Sequence, residues 1–411
     1  MKCYSSSYKT KKAMMKIILN SLLILTLLNG CQSNLTQKES KTKKNLDTTE
    51  LTIGTKQYLK STILNEERPI IISLPKDYAA SDARYPVLYL TDGLQNIWHV
   101  VGTTEVLART GSIPPIIVVG IESTNRMRDF TLTTSENHPG SGGGKKFLDF
   151  FEEELIPFVD SNYRTNSFRV LEGHSLGGLF AASTFIEKPD LFNGFIIMSP
   201  AMWWNGEELT KKVKPFLKAN PTLNKTLFFG IGTYESGTEY GMRKELKNFV
   251  DVLSENRPAN VRFERKEMEK EGHMSSTLLS NYYGLKFVFS DMAFPEKLYE
   301  DYSDSAFLEH ENYIMAKYGG SAKQSAESYV DLAASLREKE RYSGAITVLQ
   351  RSVEAYPFDV GLMNYLANTY ELDNNIEGAI NVYKQAIETS KKYNYNREEE
   401  FENQIQRLTK K

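Results

Sequence analysis

The sequence predicts an α/β protein, an open and mostly parallel sheet with helices on both faces, followed by a small all-α domain. Three observations carry this expectation. Short runs of successive apolar residues alternate with amphipathic stretches from about residue 51 to residue 295. Beyond residue 326 the chain repeats itself with a period of 34. A length of 411 residues with 40% hydrophobic content suffices for two or three domains and one large core. Lys and Arg number 50 against 52 Asp and Glu, a net charge of -2, so nothing draws the whole chain toward nucleic acid or an acidic membrane. Glycine, proline and charged contents near globular averages disfavour a fibrous, disordered or multi-span membrane protein.

In chain order, the first expected element is an export signal. Lys2, Lys9, Lys11, Lys12 and Lys16 precede an apolar run over residues 17–28, and Gly30 and Cys31 follow. Basic, then apolar, then small is the layout of a secretory signal, and the run is too short to span a bilayer comfortably. Met14 and Met15 are alternative starts. Leu28-Asn29-Gly30-Cys31 resembles a bacterial lipobox, whose cysteine is acylated and becomes the mature N-terminus, although Asn29 departs from the small or β-branched residue usual there. The chain has only two cysteines, Cys3 and Cys31, so cleavage before Cys31 leaves one and no disulfide within the mature chain. The expectation is a signal peptide over residues 1–30, a flexible polar tether over 31–50, and an exported protein lipid-anchored to the cell envelope on its periplasmic or outer-membrane face. Membrane contact is expected through that N-terminal lipid alone.

Strands are expected at residues 69–74, 85–90, 116–121, 168–171, 195–198, 227–231 and 261–263. Runs apolar on successive residues suit strands buried on both faces. Between them, Phe147, Leu148, Phe151, Leu155, Ile156 and Val159 are spaced to form one apolar helix face. In such sheets function sits at the carboxyl ends of the strands.

One of those ends carries the most informative motif. Arg169-Val170-Leu171-Glu172-Gly173-His174-Ser175-Leu176-Gly177-Gly178 reads as strand, G-x-S-x-G, helix, the context of a nucleophile elbow. The turn is tight enough to need flanking glycines, lifts the hydroxyl above the sheet, and aims the next helix's NH groups at the site. A serine needs a base. Of the five histidines, His273 follows the last strand, where the chain order of the fold asks for one. His174 is locked beside the serine and is expected to pack. His99 and His138 lie within reach of the pocket, as substrate contacts or as solvated residues, and His310 lies beyond the sheet at a surface or interface. The acid should follow the preceding strand, where residues 232–239 offer Glu235, nearer the strand end, and Glu239 in reserve. Oxyanion stabilisation needs backbone NH donors, assigned to Leu176 and to Leu94 after the strand at 85–90. No His/Asp/Glu cluster has metal-ligand spacing, and neither metal nor cofactor is expected.

Six segments then occur in order: Arg84-Tyr85-Pro86-Val87-Leu88-Tyr89-Leu90-Thr91-Asp92-Gly93, Arg126-Met127-Arg128-Asp129-Phe130-Thr131, Gly142-Gly143-Gly144-Lys145-Lys146-Phe147-Leu148, Tyr163-Arg164-Thr165, Gly173-His174-Ser175-Leu176-Gly177-Gly178, and Ser199-Pro200-Ala201-Met202-Trp203-Trp204. Over about residues 52–295 they resemble the esterase family of α/β-hydrolases that includes enterochelin esterases, feruloyl esterases and S-formylglutathione hydrolases. The resemblance implies an α/β-hydrolase sandwich and hydrolysis of carboxylic esters through an acyl-serine intermediate, with Ser175 as nucleophile and His273 as base. Glu235 falls where members often carry an acid, a position that varies in the family. The substrates implied are small-molecule esters such as siderophore esters or acylated sugars. Acyl transfer on the same scaffold is the alternative within enzymes. A non-catalytic membrane-anchored interaction protein is the alternative outside them. Trp203 and Trp204 are candidates for walling a substrate pocket, or else core tryptophans. Asp129, with Arg126 and Arg128, orders the loop before the glycine run or meets an anionic substrate group, the first reading being favoured.

At the C-terminal end, the 34-residue period pairs Leu332 with Leu366, Ala333 with Ala367, Ala345 with Ala379, Leu349 with Tyr383 and Ser352 with Ala386, and puts Tyr329 and Pro357 at an aromatic and a proline position. This resembles tetratricopeptide repeats, where Ala or Ser lets two helices approach closely. Two copies rarely stand alone. A helical linker is therefore expected over residues 296–325, and repeats with a capping helix over 326–411. The repeats are expected to bind a protein partner, to shape the pocket rim, or to dimerise.

Overall fold

The computed structural model describes residues 51–410 apart from 77, 81 and 236–241. The expected signal, Cys31 and Glu239 lie outside the described residues. Among these residues, eight strands, β1 (Thr55–Ser61), β2 (Glu66–Ser73), β3 (Tyr85–Thr91), β4 (Ile117–Ile121), β5 (Thr165–His174), β6 (Gly194–Met198), β7 (Lys225–Gly232) and β8 (Val261–Met268), form one sheet. Their order is β1-β2-β4-β3-β5-β6-β7-β8. Only β2 runs against its neighbours; the pairs from β4 to β8 are parallel.

Helices cover both faces, which is why β3, β4, β6 and β7 are buried at every residue. Side chains alternate along each strand. Val87 and Tyr89 therefore join the core under α3 (Gly144–Phe150), α5 (Leu176–Glu187), α6 (Trp204–Ala219) and α7 (Met242–Asn256), whereas Leu88 and Leu90 join the core under α1 (Gly93–Arg109) and α8 (Ser276–Val288). The apolar face expected at 147–159 is present, but its helix is interrupted. Between α3 and α4 (Ile156–Asn162), residues Phe151–Leu155 form a π-helical turn. Beneath it Phe147, Phe150, Phe151 and Phe180 pack ring against ring, with centroids 5.1 to 6.1 Å apart.

The short helix α2 (Arg126–Asp129) is tied down by charge. Arg68 on β2 is wholly buried, pairs with Asp129 at 2.9 Å and with Glu66, and lies 5.1 Å from the Phe147 ring centre. Asp129 also accepts from Arg128 Nε at 2.6 Å. A buried charge needs such partners, so Asp129 orders the segment, as the favoured reading has it.

Past α8 the chain is helical: α9 (Glu296–Glu300), α10 (Asp304–Tyr318), α11 (Ala326–Glu338), α12 (Tyr342–Ala355), α13 (Val360–Leu372), α14 (Ile376–Tyr393) and α15 (Glu398–Thr409). The hairpins α11–α12 and α13–α14 keep the 34-residue period of the sequence. Ala333, Ala345, Ala367 and Ala379 are completely buried where the helices close on each other, and α15 covers the end with Phe401 and Leu408. No helix among the described residues is long and apolar enough to cross a membrane.

The segment expected as a linker is shared between two cores. Phe307 of α10 belongs to the helical core, whereas Ile314 and Tyr318 belong to the core under the sheet. The Tyr318 ring lies 4.9 Å from Phe168 and 5.1 Å from Phe289, and its hydroxyl donates to Asp291 Oδ1 at 2.6 Å. His310 Nε2 lies 3.0 Å from the Met292 carbonyl oxygen, so this histidine is an interface residue. Phe168 is near the amino end of β5 and Ser175 follows its carboxyl end, roughly 20 Å further along a strand. The helices thus attach through Tyr318 at the end of the sheet away from Ser175, an attachment that does not favour the pocket-rim alternative over partner binding or dimerising.

Candidate active site

Ser175 follows β5 directly and has φ 60° and ψ -117°, a conformation that non-glycine residues rarely adopt. Its NH donates to the Met198 carbonyl oxygen on β6 at 3.0 Å, which fixes the turn. A Cβ added to Gly173 would lie 2.1 Å from the Gly177 carbonyl oxygen, so only glycine lets β5 and α5 converge this tightly. Helical bonding in α5 begins with Leu179 donating to the Ser175 carbonyl, which leaves the Leu176 NH among the donors that a helix's first turn does not use.

His273 sits between β8 and α8 with its side chain 37% exposed. Its Nδ1 lies 2.9 Å from Oε2 of Glu235, which is almost entirely buried just past β7. The other oxygen, Oε1, accepts from the Gly232 NH at 2.9 Å, from the Ser199 hydroxyl, and from Ser276 Oγ at 3.5 Å. Burial pushes the Glu235 carboxyl up, but hydrogen bonds from His273, Ser199 and Gly232 and the imidazole charge outweigh it, and the net effect is below the ordinary glutamate value. The carboxylate is therefore ionised at neutral pH and aimed at the imidazole.

His174 packs, as expected of a residue locked beside the serine. Its Nε2 lies 2.7 Å from the His273 carbonyl oxygen. Burial, then the neighbouring charges of His273 and Arg126, push it down to about 4, so the ring is neutral and Nε2–H donates. The loop after β3 is equally constrained. Asp92 has φ 53° and accepts from Arg126 Nε at 2.8 Å, Arg126 Nη2 at 3.1 Å and the Ser123 hydroxyl at 2.8 Å. Bonding in α1 starts with Gln95 donating to Asp92, so the Leu94 NH is also a first-turn donor, while its side chain is exposed.

The aromatic candidates separate. Trp204 is 1% exposed and donates Nε1–H to Thr133 Oγ1 at 3.1 Å, so it is a core residue and not a substrate contact. Trp203 is half-buried, with the His138 ring 5.6 Å away. His99 Nε2 lies 3.2 Å from Asn96 Oδ1. It lines an open groove of about 400 Å³ with Gly102, Thr103, Val106, Leu278 and Tyr282, and burial lowers its pKa. The residues that sequence reasoning misses are Ser199, Ser276 and the Arg126–Asp92 pair. Ser199-Pro200 and Arg126 stand in the quoted segments, but their partners follow from strand order, not from spacing. Among the described residues Asp149, Glu152 and Glu153 could bring three carboxylate oxygens to one ion, but Glu152 pairs with Lys188 at 2.6 Å and Glu153 is exposed, an ordinary acidic helix face.

This sheet order, with a serine at a strained strand-to-helix elbow and a histidine–carboxylate pair at the ends of later strands, defines an α/β-hydrolase. The family model described as "Putative esterase" matches residues 61–275, and the chain belongs to that esterase family. It is an esterase, a hydrolase-type enzyme. Ferri-bacillibactin esterase BesA of Bacillus subtilis is 33% identical over 239 residues, covering 51% of this chain and 81% of the relative. The siderophore enterobactin esterase of Emericella nidulans is 30% identical over 202 residues, 41% of this chain and 63% of that protein. The solved structure of an IroE-like serine hydrolase from Shewanella oneidensis superposes with a TM-score of 0.60 at 26% identity, over 73% of this chain and 99% of that one.

Proposed function

We propose that the protein is a serine esterase that cleaves a siderophore-type carboxylic ester through an acyl-serine intermediate. The observation that carries this reading is the 2.9 Å contact between His273 and buried Glu235, beside a serine held in an elbow conformation. Ser175 Oγ attacks the ester carbonyl carbon and passes its proton to His273 Nε2, while the NH groups of Leu176 and Leu94 receive the oxyanion. His273 then returns the proton to the departing alcohol, and water repeats the sequence to release the acid. Glu235 holds Nδ1–H and stabilises the imidazolium. The siderophore esterases named above among the relatives support the substrate class, and Trp203 with His138 offers an aromatic face to it. The lipobox-like segment ending at Cys31 supports export and lipid anchoring, and the helical domain, attached away from the elbow, is suited to holding a protein partner.

The test is pre-steady-state hydrolysis of p-nitrophenyl acetate and butyrate by the mature chain beside Ser175→Ala, with fluorophosphonate labelling of both. A burst and a label that vanish in the variant are expected. Full activity in Ser175→Ala sinks the mechanism, and failure to open a siderophore ester while p-nitrophenyl esters turn over sinks the substrate class.

A further inference from the structure

Glu172 lies on β5, three residues before Ser175, and is 0% exposed. Its neighbours across the sheet are Leu90 on β3 and Ile196 on β6. Oε2 accepts a hydrogen bond of 2.7 Å from Nδ2 of Asn281, a fully buried residue of α8. Oε1 of Glu172 has no hydrogen-bond partner among the described residues, and neither has Oδ1 of Asn281. An ionised carboxylate in this place would be a buried charge with no cation and half its acceptors unmet, which is strongly unfavourable. The two orphaned atoms belong to one acid–amide pair, however, and both are acceptors only while the acid is ionised. A single proton on Oε1 lets it donate to Oδ1 while Nδ2 donates to Oε2, which gives both orphaned oxygens a partner.

We propose that Glu172 is a positioning residue carried in its protonated form, closing a cyclic acid–amide pair with Asn281 that locks the strand bearing the nucleophile to the helix behind the base. The inference rests on the serine-esterase reading for its catalytic consequence. His273 lies in the loop that leads into α8, and Ser276, in the first turn of that helix, touches Glu235. α8 also lies hard against β7, since a Cβ on Gly230 would come 2.2 Å from Ser280 Oγ. A helix packed this closely transmits a loss at Asn281 to the loop that holds the imidazole.

The surroundings favour the neutral acid. Burial pushes Glu172 up to about 8, with only the Asn281 bond acting against it. Burial pushes His174, two residues on along the strand, down to about 4, and lowers His99 on α1 as well, so neither favours a charge beside Glu172. α1 adds Ile97 and Val100 to the core on this face, and the Lys286 ammonium of α8 lies 5.4 Å over the Tyr282 ring. In the unfolded chain a glutamate releases its proton near 4.5, whereas folded Glu172 keeps it to about 8. The folded state then binds more protons across that window, so stability falls as pH rises from about 4.5 to about 8. Glutamine has the shape and the donor of the protonated acid and does not titrate.

The experiment uses the full chain. Thermal midpoints of wild type, Glu172→Gln, Glu172→Ala and Asn281→Ala are followed from about pH 4.5 to 8.5, with kcat and KM for p-nitrophenyl butyrate over the neutral and alkaline range. The Glu172→Gln midpoint should match wild type near the acid end and exceed it increasingly toward about pH 8. Its kcat should stay within about threefold of wild type at neutral pH, without the wild-type fall above about pH 8. Glu172→Ala and Asn281→Ala should lose about ten- to a hundredfold in kcat with KM little changed. A constant gap between Glu172→Gln and wild type at every pH, or a glutamine variant as impaired as the alanine one, overturns the proposal. Should Ser175→Ala keep its activity, the mechanism fails on its own, and the midpoint curves still decide the protonation of Glu172.

Discussion

Nε2 of His174 donates to the carbonyl oxygen of His273 at 2.7 Å, with the two rings 4.4 Å apart. The residue beside Ser175, the proposed nucleophile, thus braces the backbone of the residue proposed as its base. The neutral ring donates from Nε2–H, and burial, not the bond to the carbonyl, is what disfavours a second proton on it.

A pH dependence of stability follows from the burial of His174. The folded value of about 4 lies below the ordinary 6.5, so the unfolded chain binds the proton first. This contribution to stability is complete above pH 6.5 and is lost as pH falls through about 4, a total on the order of 3 kcal/mol. Urea midpoints of wild type and His174→Asn at neutral and acid pH check it. The wild type should lose more than the variant, and parallel losses would show that His174 is not the group responsible.

Glu235→Gln should lower kcat by roughly 10³- to 10⁴-fold with the fold intact, because an amide cannot stabilise the imidazolium. Ser199→Ala should act more gently, by about tenfold, and move the acid limb of the rate profile upward, since one of the bonds holding Glu235 below its ordinary value is gone. An unmoved limb would mean that the Ser199 bond does not tune the acid.

Gly173→Ala puts a methyl group 2.1 Å from the Gly177 carbonyl oxygen, backbone that cannot swing away. The expected cost is about 3 kcal/mol in folding, with fluorophosphonate labelling of Ser175 slowed at least a hundredfold. Wild-type labelling in a folded variant would contradict the geometry of the elbow.

Tyr318→Ala removes a ring packed on Phe168 and Phe289 and should destabilise the sheet domain by about 3 kcal/mol, although Tyr318 lies in the C-terminal helices. Esterase activity lost on heating should shift down together with the helical signal. A shift in the helical signal alone would mean that the two cores melt independently.

The central strands are legible in the sequence because β3 and β4 are buried on both faces, so their residues are apolar whichever way they point, Thr91 at the end of β3 excepted. β1 is not legible. It is an edge strand with Lys56 and Tyr58 in solvent, and only pairing with β2 makes it a strand. Ser175 is legible at its turn because the glycines there answer to local sterics. The Ser199–Glu235 contact is not, since it arises because β6 lies beside β7, a lateral neighbourhood no local pattern encodes. Trp203 and Trp204 are adjacent, and only the second is turned into the core, ahead of a left-handed kink over residues 205–207 that no apolar pattern announces. The 34-residue period identifies the helical hairpins but carries nothing about which end of the sheet they meet.

The sharing of α10 between two cores sets an order of assembly. Synthesis runs from the amino end, so every strand of the sheet is complete before Tyr318 is made. Until that residue leaves the ribosome, Phe168 and Phe289 lack the ring that packs against both of them. The hydrolase is therefore made early and closed late, and a chaperone that shields aromatic surface has a defined interval in which to act.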